Sequence, residues 1–181
     1  MSPLISGGLW AALVLPLRLI FPRPKTPEGL VLVTGTSSGI GAELSYIFAE
    51  KGHDLVLVGR NEEELDAVKE NVEKKFHRKA YTIATDLSLP GVPQQLYDHV
   101  KDQGFEVSVL VNGARLGGAG HTLYQPVELT EKMTMLNCVA PVQLIHRFRR
   151  DMVKRGKGWM LQISSVGGKF PIRSSKSMFL H

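Results

Sequence analysis

The chain has 181 residues, of which 43% are hydrophobic and 22% are charged, and its formal net charge is +5. That length suffices for one domain with a buried core but not for two ordinary domains, and the composition excludes a disordered protein. The single cysteine, Cys138, excludes an internal disulfide and a cysteine-based zinc site. We expect Cys138 to be a small, buried apolar residue, and we predict no metal site.

The excess of positive charge lies mainly on one predicted helix and the residues that follow it. A nucleic-acid-binding surface and a solvated helix face are the two interpretations of such a pattern, and the second is favoured here. We therefore predict no nucleic-acid partner. The basic residues concerned are Arg147, Arg149, Arg150, Lys154, Arg155 and Lys157.

Residues 1–21 form an apolar segment that differs in kind from the rest of the chain. The stretch from Pro3 to Leu17 carries no charge, and it extends to Phe21 if Arg18 snorkels. Such a stretch is about long enough to enter or cross a bilayer, so we predict a membrane anchor or an interfacial segment. The alternative is an apolar tail that packs on the domain.

Basic residues and prolines follow this segment. Arg18, Arg23 and Lys25 would keep the remaining chain in the cytosol by the positive-inside rule. We therefore expect a membrane-associated protein, with an anchor of the endoplasmic-reticulum type as one form and a cytoplasmic protein as the alternative. Residues 22–28 contain three prolines and predict a linker, which leaves residues 29–181 as the folded domain.

A buried strand, a tight glycine turn and the start of a helix follow one another near the beginning of this domain. The apolar run Leu30–Thr34 ends at Gly35, and helix-forming residues begin at Ala42. Gly35 lets the chain reverse direction, Gly39 lets the backbone approach a ligand, and Gly41 lets the helix pack closely on the strand. A helix N-terminus at such a turn presents free N–H groups and a positive dipole end, which predicts that a pyrophosphate binds there.

Strand and helix patterns alternate along the rest of the chain. This alternation predicts an α/β domain with a doubly wound, Rossmann-like parallel sheet, covered by helices on both faces in three αβα layers. Further strands are predicted over residues 54–58, 80–84, 107–111 and 158–165, and helices over residues 62–75, 92–101 and 128–155, the last with a bend at Pro141.

The end of the second strand bears on the choice of cofactor. An acidic residue about 20 positions beyond the glycine turn would hold the ribose 2′-hydroxyl of NAD. Gly59 occupies this place and Arg60 follows it, so no carboxylate repels a 2′-phosphate and a guanidinium is available to pair with it. We therefore predict NADP(H) rather than NAD(H). The alternative role of Arg60 is that of an ordinary surface arginine.

The spacing Thr34-Gly35-x-x-x-Gly39-Ile40-Gly41 resembles the fingerprint of the short-chain dehydrogenase/reductase family, classical type, and the resemblance continues at intervals to about Lys176. It implies an oxidoreductase that transfers a hydride between a nicotinamide cofactor and a ketone or alcohol. It also implies a cradle for the cofactor phosphates. The cradle residues are Gly35, Ser37, Ser38, Gly39, Ile40 and Gly41.

The resemblance implies two further cofactor contacts. Asp86 follows the third strand, where the family has an aspartate that faces the adenine, and a helix or turn cap is its alternative role. Asn112-Gly113-Ala114-Arg115 stands in place of the family's Asn-Asn-Ala-Gly, which makes Asn112 the second contact. Arg115 departs from the family pattern, because it places a bulky cation where the backbone is expected to pass close to the cofactor.

Asn137, Ser165 and Lys176 match catalytic residues of the family. Asn137 lies in Leu-Asn-Cys-Val-Ala-Pro and corresponds to the asparagine that holds a proton-relay water through its helix backbone. Ser165 ends the fifth predicted strand and corresponds to the serine that hydrogen-bonds the substrate carbonyl. Lys176 is the best match for the lysine of Tyr-x-x-x-Lys, which lowers the pKa of the tyrosine and holds the nicotinamide ribose.

The tyrosine that donates the proton in this family is missing from the sequence. No tyrosine follows Tyr124, and aligning Lys176 with the family lysine leaves about six residues, the tyrosine included, absent before Arg173. Tyr97 and Lys101 satisfy Tyr-x-x-x-Lys by their letters alone. They lie on a predicted helix ahead of the fourth strand, so this match is interpreted as a coincidence on an amphipathic surface.

These features predict a C-terminally truncated, NADP(H)-dependent short-chain oxidoreductase with weak or no activity in this form. Family members continue with two more strands and several helices, so the fifth strand is expected to be an edge of an incomplete fold. Its side chains Trp159, Met160, Leu161 and Ile163 would then lack their cover on one side. The alternative function is a membrane-tethered, non-catalytic nucleotide-binding or interaction module that pairs with a full-length relative.

Overall fold

The computed structural model describes residues 26–117 and 125–165. The apolar segment 1–21 and Lys176 lie outside these residues, and so does most of the proline-containing linker. No helix within the two described ranges has the length and apolar character of a membrane span. The membrane anchor therefore stays a prediction.

The described residues contain one sheet of five parallel strands. The strands are β1 Leu30–Thr34, β2 Leu55–Gly59, β3 Ala80–Ala84, β4 Val107–Asn112 and β5 Trp159–Gln162. They are arranged in the order β3-β2-β1-β4-β5, and every neighbouring pair is parallel. The chain thus builds outward from β1 in both directions, which confirms the predicted doubly wound sheet.

The helices connect these strands. They are α1 Gly39–Glu50, α2 Glu62–Phe76, α3 Val92–Asp102, α4 Val127–Thr134 and α5 Ala140–Lys154, with a five-residue π-helical turn over Met135–Val139 between the last two. The predicted helix over residues 128–155 is therefore observed, with a π-helical turn in its middle and with Thr134 and Ala140 on either side in helical conformation. Pro141 lies in the first turn of α5, so the irregularity comes before the proline and not at it.

The helices cover both faces of the sheet. On one face, α1 and α2 contribute Phe48 and Leu65 to a buried cluster that includes Val33 of β1. On the other face, α3 and α5 contribute Leu96 and Phe148 to a second buried cluster. Because both faces are covered, β1, β2 and β4 are buried almost throughout, and this is why they form continuous apolar runs in the sequence.

The fifth strand lies at an edge of the described sheet, as predicted, but it is shorter than the predicted run of residues 158–165. Trp159 packs on the cluster beneath α1 and α2, and Met160 packs on the cluster beneath α3 and α5. These two side chains are half-buried rather than uncovered. Leu161 is 38% exposed, so the apolar surface left on this edge is smaller than expected.

The basic residues near the end of α5 do not all face solvent. Arg149, Arg150, Lys154 and Lys157 are exposed, as the solvated-face interpretation expects. Arg155 instead turns inward, donates a 2.7 Å hydrogen bond to the carbonyl of Val107, and forms a 3.2 Å salt bridge with Glu106. It ties the end of α5 to the start of β4.

Tyr97 and Lys101 of α3 take part in packing against α5. The Tyr97 hydroxyl donates to Oδ2 of Asp151 at 3.1 Å, and Nζ of Lys101 lies 3.0 Å from the same oxygen. The Tyr97 ring also meets Phe148 edge-on, with the ring centroids 5.1 Å apart. The contacts of this Tyr-x-x-x-Lys pair are therefore those of a helix–helix interface.

This interface makes stability depend on pH. Burial raises the pKa of Asp151, but hydrogen bonds from Lys101 and Tyr97 together with the charges of Lys101 and Arg155 bring it below its ordinary value. The unfolded chain then binds the proton more tightly, so the stabilisation is present above the unfolded pKa, about 3.9, and is lost as pH falls through the folded pKa. We expect the free energy of unfolding in urea to fall as the pH is lowered from about 5 through the folded pKa of Asp151, which lies below its ordinary value.

Asp151→Asn is the matched control for this prediction. The variant should be less stable near neutral pH and should show a shallower fall on acidification, because its amide does not titrate. Asp86, whose pKa is also lowered in the folded chain, should account for part of the remaining fall. Parallel pH profiles for the variant and the unsubstituted chain would contradict the assignment to Asp151.

Candidate functional site

The carboxyl ends of the central strands open into a cavity of about 190 Å³. This is the edge at which doubly wound sheets bind ligands, at the point where the strand order reverses. The cavity brings together residues singled out in the sequence at four separate places in the chain. Its lining includes Gly35, Ser37, Ser38, Arg60, Asp86 and Arg115.

The glycine turn between β1 and α1 is closely packed. A Cβ on Gly35, whose φ is +77°, would lie 2.7 Å from backbone atoms of Ala114. A Cβ on Gly41 would lie 2.1 Å from the carbonyl oxygen of Gly35. The packing of the chain on itself thus leaves no room for a side chain at these two positions. Their contact with phosphate stays a prediction.

The start of α1 is left open for an anion. Ser38 precedes the helix but its side chain makes no capping hydrogen bond, and the first turn carries no acidic residue. In contrast, Asn61 caps α2 by accepting hydrogen bonds from the N–H groups of Glu63 and Glu64 at 3.0 and 3.3 Å. Of these two helix starts, only that of α1 lacks negative groups of its own.

Gly39 and Ile40 begin α1 but do not line the cavity. Gly39 has φ +60°, with nothing within 4 Å of an added Cβ, and Ile40 is 62% exposed. Both residues lie beside the turn. A phosphate would have to approach them from solvent to make the predicted contact.

Thr34 holds the loop after β4 against β1. Its Oγ1 accepts hydrogen bonds from the N–H groups of Gly113 and Ala114 at 3.1 and 3.2 Å. A Cβ on Gly113 would lie 2.8 Å from the carbonyl oxygen of Thr34, so this backbone path has no room for the asparagine that the family carries there. Thr34 was not predicted as a site residue, because a threonine at a strand end has no distinctive signal in the sequence.

Asp86 caps the turn after β3, which is one of the two roles that the sequence left open, and its contact with an adenine stays a prediction. Its Oδ1 accepts hydrogen bonds from the N–H and the hydroxyl of Ser88 at 3.0 and 2.6 Å, which caps the turn after β3. Its Oδ2 pairs with Nζ of Lys132 on α4 at 3.2 Å. Burial raises the pKa of Asp86, but these partners outweigh it and hold the pKa below its ordinary value, so the carboxylate that lines the cavity is ionised and neutralised by Lys132.

A second cavity, of about 330 Å³, lies between β4, β5 and the π-helical turn. Asn137 lines it and uses its side-chain amide to hold Leu116, accepting from the Leu116 N–H at 3.0 Å and donating to the Leu116 carbonyl at 2.9 Å. Ser164 also lines this cavity. Ser165 is half-buried beside it and is not among the lining residues.

Asn112 lines the second cavity and not the first. Its Nδ2 donates to Oε1 of Gln162 on β5 at 3.1 Å and to the carbonyl of Pro141 at 3.4 Å. The residue is 6% exposed, so these bonds join β4, β5 and α5 from within. Its predicted contact with the cofactor stays a prediction, and Gln162 is a site residue that the sequence analysis missed.

Cys138 is half-buried and lines the second cavity. Cys138 is therefore less buried than the sequence predicted, because the π-helical turn that contains it borders the cavity.

Three comparisons with known proteins bear on this site. A family model described as short chain dehydrogenase matches residues 29–177. The very-long-chain 3-oxoacyl-CoA reductase of Phaeosphaeria nodorum is 31% identical in an alignment 153 residues long that covers 80% of this chain and 44% of that protein. Dehydrogenase/reductase SDR family member 7B of Danio rerio is 31% identical in an alignment 188 residues long, gaps included, that covers 99% of this chain and 61% of that protein.

A solved structure shows the same fold with a ligand bound. The short-chain dehydrogenase from Sphingobium yanoikuyae in complex with NADPH is 31% identical and has a TM-score of 0.75, covering 81% of this chain and 57% of that one. The chain spans about half the length of the relatives that it matches.

Proposed function

Because the chain belongs to the short-chain dehydrogenase family, we propose that it binds NADP(H) at the carboxyl edge of its sheet and that its reduction of ketones is weak or absent in this form. The observation that carries the proposal is the first cavity, where the glycine turn, Arg60 and Asp86 meet. An uncapped helix start, a glycine turn and a guanidinium together suit a phosphorylated dinucleotide.

The preference for NADP(H) rests on Arg60. A Cβ on the preceding Gly59 would lie 2.4 Å from Oγ of Ser37, so a carboxylate at that position would displace the serine. Arg60 itself forms no hydrogen bond or ion pair with the described residues, although the first turn of α2 carries Glu62, Glu63 and Glu64. Its guanidinium is therefore available to a 2′-phosphate.

Substitution of Arg60 tests this preference. We expect Arg60→Ala to raise the Kd of NADPH about tenfold and to leave the Kd of NADH nearly unchanged, since only NADPH carries the 2′-phosphate. Nucleotide fluorescence or calorimetry on the purified chain measures both constants. Arg149→Ala, which removes an exposed cation from α5, is the matched control and should change neither constant. Equal losses for both nucleotides would contradict the role of Arg60.

The proposed substrate is a ketone or the corresponding alcohol. Support comes from the second cavity, which places Asn137 and Ser164 near the end of β5, and from the similarity to proteins named 3-oxoacyl-CoA reductases. A 3-oxoacyl thioester therefore belongs in the panel of ketones to be assayed. Weak or absent turnover is proposed because the sequence holds no tyrosine after Tyr124 to protonate the developing alkoxide.

A second candidate function is a non-catalytic nucleotide-binding module that pairs with a full-length family member, tethered to a membrane by its first residues. It is favoured by the position of β5 at the sheet edge and by the exposure of Leu161. Co-purification with a full-length relative would support this function. A monodisperse monomer in the presence of that relative would count against it.

A further inference from the structure

Arg115 stands at a fixed point of the loop that follows β4. On one side, the Ala114 N–H is held by Oγ1 of Thr34 at 3.2 Å. On the other side, both backbone polar groups of Leu116 are held by the side-chain amide of Asn137. The backbone that carries Arg115 is therefore positioned before any ligand binds, which lowers the entropic cost of using its side chain.

The backbone conformation does not require a glycine at this position. Among the described residues, His77 is the sole non-glycine residue with a positive φ, so Arg115 adopts an ordinary conformation. The family's glycine is thus replaced here without backbone strain, and the replacement adds a cation to the site.

The Arg115 guanidinium has no counterion in the described part of the chain. Arg115 forms no hydrogen bond or ion pair with a described residue, whereas Arg78 and Arg155 both pair with carboxylates. Asp86 lines the same cavity but is already paired with Lys132. Arg115 is exposed at the cavity; partial burial lowers its pKa, and the nearby Cys138 offsets part of this effect.

Arg115 lines both cavities, and Ala114 is the one other residue that the two linings share. The first cavity contains Arg60 and the second contains Asn137. A dinucleotide that extends from one cavity into the other would pass these two shared residues, and the pyrophosphate that joins its two halves would lie near Arg115. We infer that Arg115 binds the pyrophosphate of NADP(H) and is a second determinant of cofactor affinity, separate from Arg60.

This inference rests on the proposed binding of NADP(H). An arginine can pair with two phosphate oxygens at once through its planar fork of N–H groups, and such charge-assisted bonds are among the stronger ones in proteins. The pyrophosphate is common to NADPH and NADH, whereas the 2′-phosphate is not. The two arginines should therefore differ in which nucleotides they distinguish.

Titrations of Arg115→Ala and Arg115→Gly test the inference, the glycine being the family's residue at this position. We expect both variants to raise the Kd of NADPH and of NADH by the same factor, roughly tenfold, and to leave the Kd of 2′-AMP, which has no pyrophosphate, unchanged. Arg115→Lys should recover part of the affinity because it keeps the charge but not the fork. Thermal unfolding should be unaltered in Arg115→Ala and Arg115→Lys, because the side chain forms no hydrogen bond or ion pair with a described residue, and slightly earlier in Arg115→Gly, because glycine makes the unfolded chain more flexible.

Three results would overturn the inference. The first is unchanged affinity for both dinucleotides in Arg115→Ala. The second is a loss confined to NADPH, which would assign Arg115 to the 2′-phosphate. The third is an equal loss for 2′-AMP, which would indicate a general electrostatic effect. If the unsubstituted chain binds neither dinucleotide, the proposed function fails as well, and this outcome is distinguishable from a failure of Arg115 alone.

Discussion

The unsubstituted chain is expected to oxidise NADPH in the presence of ketones no faster than its Ser165→Ala variant. Hydride transfer to a carbonyl requires a proton for the developing alkoxide, and a positioned acid contributes about 10²- to 10⁴-fold to such a step. Ser174 cannot supply the proton, because an aliphatic hydroxyl without an adjacent base is too weak an acid. Steady-state assays over a panel of ketones, with a 3-oxoacyl thioester among them, measure the difference.

Restoring the tyrosine should change this result. An insertion of about six residues between Ile172 and Arg173, ending in tyrosine, places that tyrosine four residues before Lys176, and we expect turnover to rise by at least about 10²-fold. The same insertion ending in phenylalanine is the control, because it differs by a single hydroxyl. Robust turnover by the unsubstituted chain would defeat the proposal of inactivity. Equal rates for the two insertions would show that the hydroxyl is not the missing element.

Gly41→Ala is expected to have the largest effect of any single substitution in the glycine turn. The new Cβ would lie 2.1 Å from the carbonyl oxygen of Gly35 and 2.7 Å from its carbonyl carbon. Both are backbone atoms that no change of rotamer can move, so α1 must separate from β1. We expect the free energy of unfolding to fall by about 3 kcal/mol and the Kd of NADPH to rise by about 10² or more.

Gly104→Ala measures the energetic cost of an unfavourable backbone conformation without the cost of close packing. Gly104 has φ +72° and nothing within 4 Å of an added Cβ, so its substitution tests the conformational cost alone, about 1 to 2 kcal/mol, at a site remote from the cavity. NADPH binding should be unchanged in this control once it is folded. If the free energy of unfolding of Gly41→Ala lies within about 1 kcal/mol of that of the unsubstituted chain, and if the variant binds NADPH normally, the turn is not as tightly packed as the distances indicate.

The fold could be predicted from the sequence because its signals are local. The strands β1 to β4 agree with the predicted strands to within one residue, and β1, β2 and β4 are apolar runs because they are buried on both faces. The three glycines of the turn could be identified because a reversal and a close helix–strand contact each demand a residue without a side chain. The alternation of strands and helices then sufficed for the doubly wound sheet.

The errors lie where packing overrides periodicity. The segment 128–155 has the apolar spacing of one helix, but its middle forms a π-helical turn in which Asn137 reaches Leu116. That contact joins residues that are distant in sequence, and no local pattern records it. The exposure of Cys138 to the second cavity follows from the same turn. The early end of β5 has no explanation in the contacts of the described residues.

The sequence by itself determined the class of the fold and the glycine turn, because both are properties of residue type and spacing along the chain. Only the tertiary structure decided how the polar groups are paired. It joined Asp86 to Lys132, committed the Asn112 amide to Gln162, and left Arg115 without a carboxylate partner among the described residues. Such pairing depends on distances between elements far apart in the sequence, and those distances exist only once the sheet and its helices have assembled.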